Sequence, residues 1–137
     1  MWLVYALLSA LFAALTALFA KMGVSNISSN LATGIRTIIV LILTWGIVFW
    51  RGEAKNITQI PKQGMWFLVL SGLATGLSWL FYFKALQVGK LSQVAPVDKL
   101  SVALTLVLAA VFLQETMTFK EVIGGLFIIV GVIVLAT

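Results

Sequence analysis

Histidine and cysteine are both absent, and only four acidic side chains stand against nine basic ones. Without thiols there is no disulfide framework and no thiolate nucleophile, and cysteine usage says nothing about redox compartment. Without imidazole, the most frequent metal ligand and the usual acid–base group near neutral pH are missing. No metal site and no cofactor is therefore expected. An enzyme is a poor fit as well, because no close pair of acids lies inside an apolar run. Charge is scarce throughout, at 9% of residues. The net +5 sits mostly at the ends of apolar runs, which points to lipid headgroups and topology and away from nucleic acid.

What is present is apolar: 62% of the 137 residues, with a mean hydropathy of +1.15. Soluble domains are nearer half apolar and a quarter charged, and a chain this small leaves too much surface wet to hide the excess. Lipid is the solvent that accepts it. A membrane-crossing helix needs about 20 apolar residues, and five runs qualify: Trp2–Ala20, Leu31–Trp50, Met65–Phe83, Leu91–Leu113 and Thr118–Ala136. None shows the strict alternation of a β-barrel strand, the other structure able to cross a bilayer. The first run lacks a basic flank on its N-terminal side and is too long for a secretory signal, so it is expected to stay as a helix. Ser28, Ser29 and Asn30 are helix N-cap types before the second run, and Thr118 with Glu121 has capping-box spacing before the fifth. Arg51–Gln63 reads as a loop. The fold expected is all-α, a single five-helix membrane domain over residues 1–137.

Five crossings put the two ends of the chain on opposite sides of the bilayer. One side then carries Arg51, Lys55, Lys62 and Lys120, the other Lys21, Lys84 and Lys90. A difference of one barely orients a protein under the positive-inside rule. Two readings stay open: a weak fixed orientation, or insertion both ways up. The second has a physical motive, because many transporters consist of inverted repeats around a midplane site. An odd-numbered unit recovers that geometry by pairing with an antiparallel copy of itself or with a related half.

Ionisable groups inside a span are expensive and usually face a bundle interior or a wet cavity. Three fall inside the runs: Arg36, Asp98 and Lys99. Arg36 lies about 8 Å into its helix and Asp98 about 10 Å into its own, both from the same side, so a pair between them is geometrically allowed. Asp98, Ser101 and Thr105 share a helical face, as do Thr33, Arg36, Thr37 and Thr44. Lys99 stands about 100° round from Asp98, which sends the two toward different neighbours. Asp98 either neutralises a base and ties helices together or handles substrate or protons. The surplus of one positive charge among the three leans toward an anionic or zwitterionic solute.

Pro96 either bends the fourth helix or sits harmlessly in its first turn. Gly72-x-x-x-Gly76 permits close helix approach. Gly124 and Gly131 share a face of the last helix, with Gly125 beside them, suited to packing or to a dimer seam. Trp45, Trp79 and Tyr82 serve as packing or interfacial residues, or as the wall of a substrate pathway, for which Trp79 and Tyr82 are the better candidates. Asn56-Ile57-Thr58 has the form of a glycosylation acceptor, a match frequent by chance.

Tyr82-Phe83-Lys84-Ala85-Leu86, Gly89, Val94-Ala95-Pro96, Leu100-Ser101, Leu113-Gln114-Glu115, Thr118 and the stretch Gly124 to Gly131 occur here in a familiar order and spacing. On these the chain resembles the EamA-type repeat of the drug/metabolite transporter superfamily, by motif from Phe81 onward and by layout throughout. Most such proteins carry two inverted repeats in ten helices. With one, this chain is similar to the half-length bacterial and archaeal members, whose fourth helix resembles Pro96-Val97-Asp98-Lys99-Leu100-Ser101. The resemblance implies secondary transport of small metabolites, such as amino acids or related solutes, by alternating access as a dimer in the inner membrane of a prokaryote. Gln114-Glu115 stands where the family often has Gly-Glu, and Glu115 reads as a capping or structural residue. The small multidrug resistance proteins differ: they resemble four-helix subunits with an acid in helix one, where Trp2–Ala20 has none. A competing expectation is a membrane subunit that transports nothing and stabilises or regulates a partner protein.

Overall fold

A backbone in lipid must satisfy its own hydrogen bonds, and every apolar run of the chain does so as helix. The computed structural model describes Met1 to Ala136; Thr137, the final residue of the expected domain, lies outside the described residues. The helices are α1 (Trp2–Gly23), α2 (Ser29–Trp50), α3 (Lys62–Val88), α4 (Leu91–Asp98), α5 (Leu100–Phe112) and α6 (Phe119–Ala136). There is no strand among the described residues. Taking α4 and α5 as one interrupted span, five segments are long and apolar enough to cross a bilayer. This is an all-helical, multi-pass membrane protein.

The ends are set by local chemistry. Ser28 caps α2, its Oγ accepting from the Leu31 amide at 3.2 Å. Gly52, at φ +68°, turns the chain out of α2 in the left-handed region that suits glycine. Thr118 and Glu121 form the expected capping box ahead of α6. The Thr118 amide donates to Glu121 Oε2 at 2.7 Å, and the Glu121 amide donates to Thr118 Oγ1 at 3.4 Å. α5 ends differently: Gln114 takes φ +54°, and the Glu115 amide then returns to the Ala109 carbonyl at 3.3 Å. Glu115 thus takes part in the turn through its backbone.

Three expectations need correction. The second loop is not featureless, since Glu53–Gln59 winds as a 3₁₀ helix with Arg51 bound to Glu53 at 2.9 Å across its start. The Asn56-Ile57-Thr58 triplet lies on that exposed turn. α3 runs past Lys84 to Val88, because Lys84-Ala85-Leu86-Gln87 contains no helix breaker and one charge does not end a helix. The fourth span is two helices. Pro96 is the sixth residue of α4, beyond the first turn where proline is harmless, and the helix breaks at Lys99. There the Lys99 amide donates to the Pro96 carbonyl at 2.9 Å and the Val102 amide to the Lys99 carbonyl at 3.0 Å, each a tighter three-residue step.

The chain divides into two compact units, one of Ala20–Gln87 and one of Met1–Phe19 with everything from Val88 on. In the first, Val24, Ala32, Phe83 and Leu86 are buried, with Ser29 and Thr33 beside them. Its corner is clasped by Gln87, whose Nε2 donates to the carbonyls of Val24 at 3.3 Å and Ile27 at 2.6 Å, while Lys21 donates to the Leu86 carbonyl. The clasp satisfies carbonyls of the connection that follows α1 and one in the last turn of α3. In the second unit α6 packs along both α4 and α5. Its closest approach is at Gly125, where a Cβ would come within 2.9 Å of Leu106 Cδ1. No more than 11% of any span is buried, so nearly all the apolar surface faces outward, as lipid or a partner helix requires.

Candidate functional site

α2 and α3 each bring one face to the same place. On α3, Trp79, Phe83 and Leu86 follow one another at helical spacing, and Phe83 and Leu86 are buried. On α2, Ala32 and Thr33 are buried and Arg36 follows a turn later, half-buried. The Arg36 guanidinium carbon lies 4.3 Å from the centroid of the Trp79 ring and 5.4 Å from that of Phe83. Both rings offer their electron-rich faces to the cation. Nη1 of Arg36 is buried and has no hydrogen-bond partner among the described residues. With α2 starting at Ser29, the guanidinium stems from a position about 10 Å into the helix.

Charge around this site is one-sided. Within Ala20–Gln87 the sole acid is Glu53, and it is bound to Arg51. The threonines on the Arg36 face bring no free donor: Thr33, Thr37 and Thr44 hydroxyls donate to the carbonyls of Ser29, Thr33 and Val40 at 2.8 Å each. Such back-bonding keeps their polarity within α2.

Asp98 and Lys99, in the other unit, meet each other. Lys99 Nζ lies 3.4 Å from Asp98 Oδ2. The expectation that neighbours on a helix point apart fails here because the helix ends between them and the lysine stem is long enough to fold back. Asp98 therefore neutralises the base next to it in sequence and does not tie two helices through that contact. The stripe mate Thr105 donates to the Ser101 carbonyl at 2.8 Å.

The remaining candidates separate. Trp79 is under Arg36, and Phe83 joins it although the sequence reading passed it over. The spacing of four from Trp79 to Phe83 was the available signal. Tyr82 stands edge-on to Phe83 with ring centroids 6.4 Å apart. Trp45 pairs along its own helix with Phe49 at 5.6 Å. At Gly72, Gly76, Gly124 and Gly131 an added Cβ meets nothing within 4 Å among the described residues. Gly125 differs, with Leu106 Cδ1 at 2.9 Å from an added Cβ. A separate groove of about 560 Å³ lies between the start of α2 and α3, lined by Ser28, Ser29 and Asn30 with Leu77, Phe81 and Lys84 among others.

A membrane bundle with one embedded, aromatic-backed cation is consistent with solute handling, and comparison with known proteins settles its kinship. The model of the EamA-like transporter family matches residues 1–137. The chain belongs to the EamA-like transporter family. It is 47% identical over 135 residues to an uncharacterised transporter encoded in the cobO 3′ region of Sinorhizobium sp, covering 98% of this chain and 96% of that one. An uncharacterised protein of Methanocaldococcus jannaschii is 33% identical over 82 residues, 60% of each chain. No solved structure matches. Kinship with EamA-like transporters supports a transport role in a membrane.

Proposed function

We propose that this EamA-like chain is half of a secondary transporter, working as an antiparallel homodimer that moves small metabolites by alternating access across a prokaryotic inner membrane. Amino acids and related anionic or zwitterionic solutes are the substrate class, and the other partners are membrane lipid and, as a variant of the same design, a related half-transporter. The observation that carries the proposal is the pairing of a five-span unit with an embedded, uncompensated Arg36. Two five-span units fused in one chain are inverted relative to each other, a lone unit recovers that geometry by pairing with an antiparallel copy, and inverted repeats around a midplane site are how many transporters alternate. The open glycine faces at Gly72/Gly76 and Gly124/Gly131 suit close approach by another helix. Kinship with a bacterial transporter supports both the role and the membrane.

Topology tests it. Reporters fused to the C-terminus of the chain expressed alone should signal from both sides of the membrane, and cross-links between two copies should join opposite ends of α6. A single uniform orientation in the assembled dimer removes the antiparallel mechanism.

A further inference from the structure

We infer that Arg36 is a carboxylate-binding residue: its guanidinium, backed by the rings of Trp79 and Phe83, takes the carboxylate of the transported solute through its free edge. The inference rests on the transporter reading and names the group by which the solute is recognised. A guanidinium has two uses for its plane. Its faces stack on aromatic rings, and its edge presents a fork of N–H donors matched to a planar oxyanion. Here two rings lie 4.3 and 5.4 Å from the guanidinium carbon, while the buried Nη1 has no acceptor among the described residues.

An arginine does not escape by losing its proton, and a buried donor left unpaired is destabilising. Such a group persists in a membrane protein where it meets a cavity or a ligand. Among the described residues, the side-chain carboxylates are engaged or placed elsewhere. Glu53 is bound to Arg51, Asp98 meets Lys99, and Glu121 accepts from the Thr118 amide in the capping box. Glu115 lies in the connection after α5, outside any helix. The partner for Arg36 is then supplied from outside. One cation walled by aromatic rings suits a single carboxylate with a small apolar or zwitterionic body, since a dianion such as a phosphate ester would want a second cation at the same spot.

Binding is read on purified protein by the quenching of tryptophan fluorescence, with benzoate, benzamide and benzylamine as one matched set and alanine with alaninamide as another. At least one carboxylate is expected to bind saturably, and at least tenfold more tightly than the amide or amine of the same frame. Arg36→Lys keeps the charge but loses the fork, and should weaken that carboxylate at least tenfold with circular dichroism unchanged. Trp79→Phe should remove most of the quenching. Equal binding of acid and amide overturns the inference, as does unchanged affinity in the lysine variant or no binding by any carboxylate of the panel. The comparison between acid and amide needs only the wild-type protein, so it decides even where a variant fails to fold. Flux in proteoliposomes separates this inference from the function above. Carboxylate binding without flux keeps the site and removes the transport reading; flux of an amide or amine indifferent to Arg36→Lys keeps transport and removes the site.

Discussion

The two units of the chain treat embedded charge in opposite ways. In Ala20–Gln87, Arg36 rests on aromatic faces with no carboxylate of its own unit to meet it. In the other unit Asp98 and Lys99, consecutive in the chain, meet at 3.4 Å where a helix breaks. A pair that cancels locally asks nothing of its surroundings. A lone cation keeps a valence that something else must fill. Packing adds a local detail: α6 is tight at Gly125, against Leu106, while Gly72 and Gly76 of α3 and Gly124 and Gly131 of α6 have nothing within 4 Å of an added Cβ among the described residues.

Substitutions that act on one unit alone can break or sharpen this contrast. Gly125→Leu should have the largest effect, lowering stability by about 1–3 kcal/mol through overpacking against Leu106; thermal unfolding in detergent measures it. Gly125→Ala should be near neutral, because the atom it meets is the swinging end of a leucine. Next is Trp79→Leu, which removes a cation–π contact of about 1–2 kcal/mol and should lower the melting temperature as well as weaken carboxylate binding. Gln114→Gly relieves a left-handed residue and should raise stability by about 1 kcal/mol. Smallest is the double change Asp98→Asn with Lys99→Gln, below about 1 kcal/mol because the pair is partly exposed. Should the double variant unfold the protein, the description of that pair as self-contained is wrong. Asp98→Asn alone has a second use: in a proton-coupled transporter it flattens the pH dependence of flux, and an unchanged profile excludes Asp98 from that role.

Spans were legible because composition along the chain decides them. Trp2–Ala20 and Phe127–Val130 leave no choice but helix in lipid, and Ser28, Gly52, Thr118 and Glu121 mark ends by chemistry that acts within a turn. The overrun of α3 past Lys84 was not legible, since a lysine tolerates either the helix interior or its end. Nor was the break at Lys99, for Pro96 signals a disturbance without saying where the next helix restarts. Within the site, the cost of embedding a guanidinium singled out Arg36 from the sequence. Its partners did not follow, because an aromatic at any of three neighbouring positions satisfies hydropathy equally. The mutual rotation of α2 and α3 sets the Trp79 and Phe83 rings against the guanidinium. The close approach at Gly125 was not legible either: Gly124 and Gly125 differ by about 100°, and periodicity does not say which of the two faces a neighbour.

The interruption at Lys99 makes the fourth crossing a jointed one. The eight residues of α4 rise about 12 Å and the thirteen of α5 about 20 Å, so neither rod crosses a hydrocarbon layer of about 30 Å alone. Their combined reach depends on the angle between them, and hydrophobic mismatch acts on that angle. Short acyl chains would favour a folded joint and long ones a straight joint, so the break at Lys99 is where a change in bilayer thickness would be taken up.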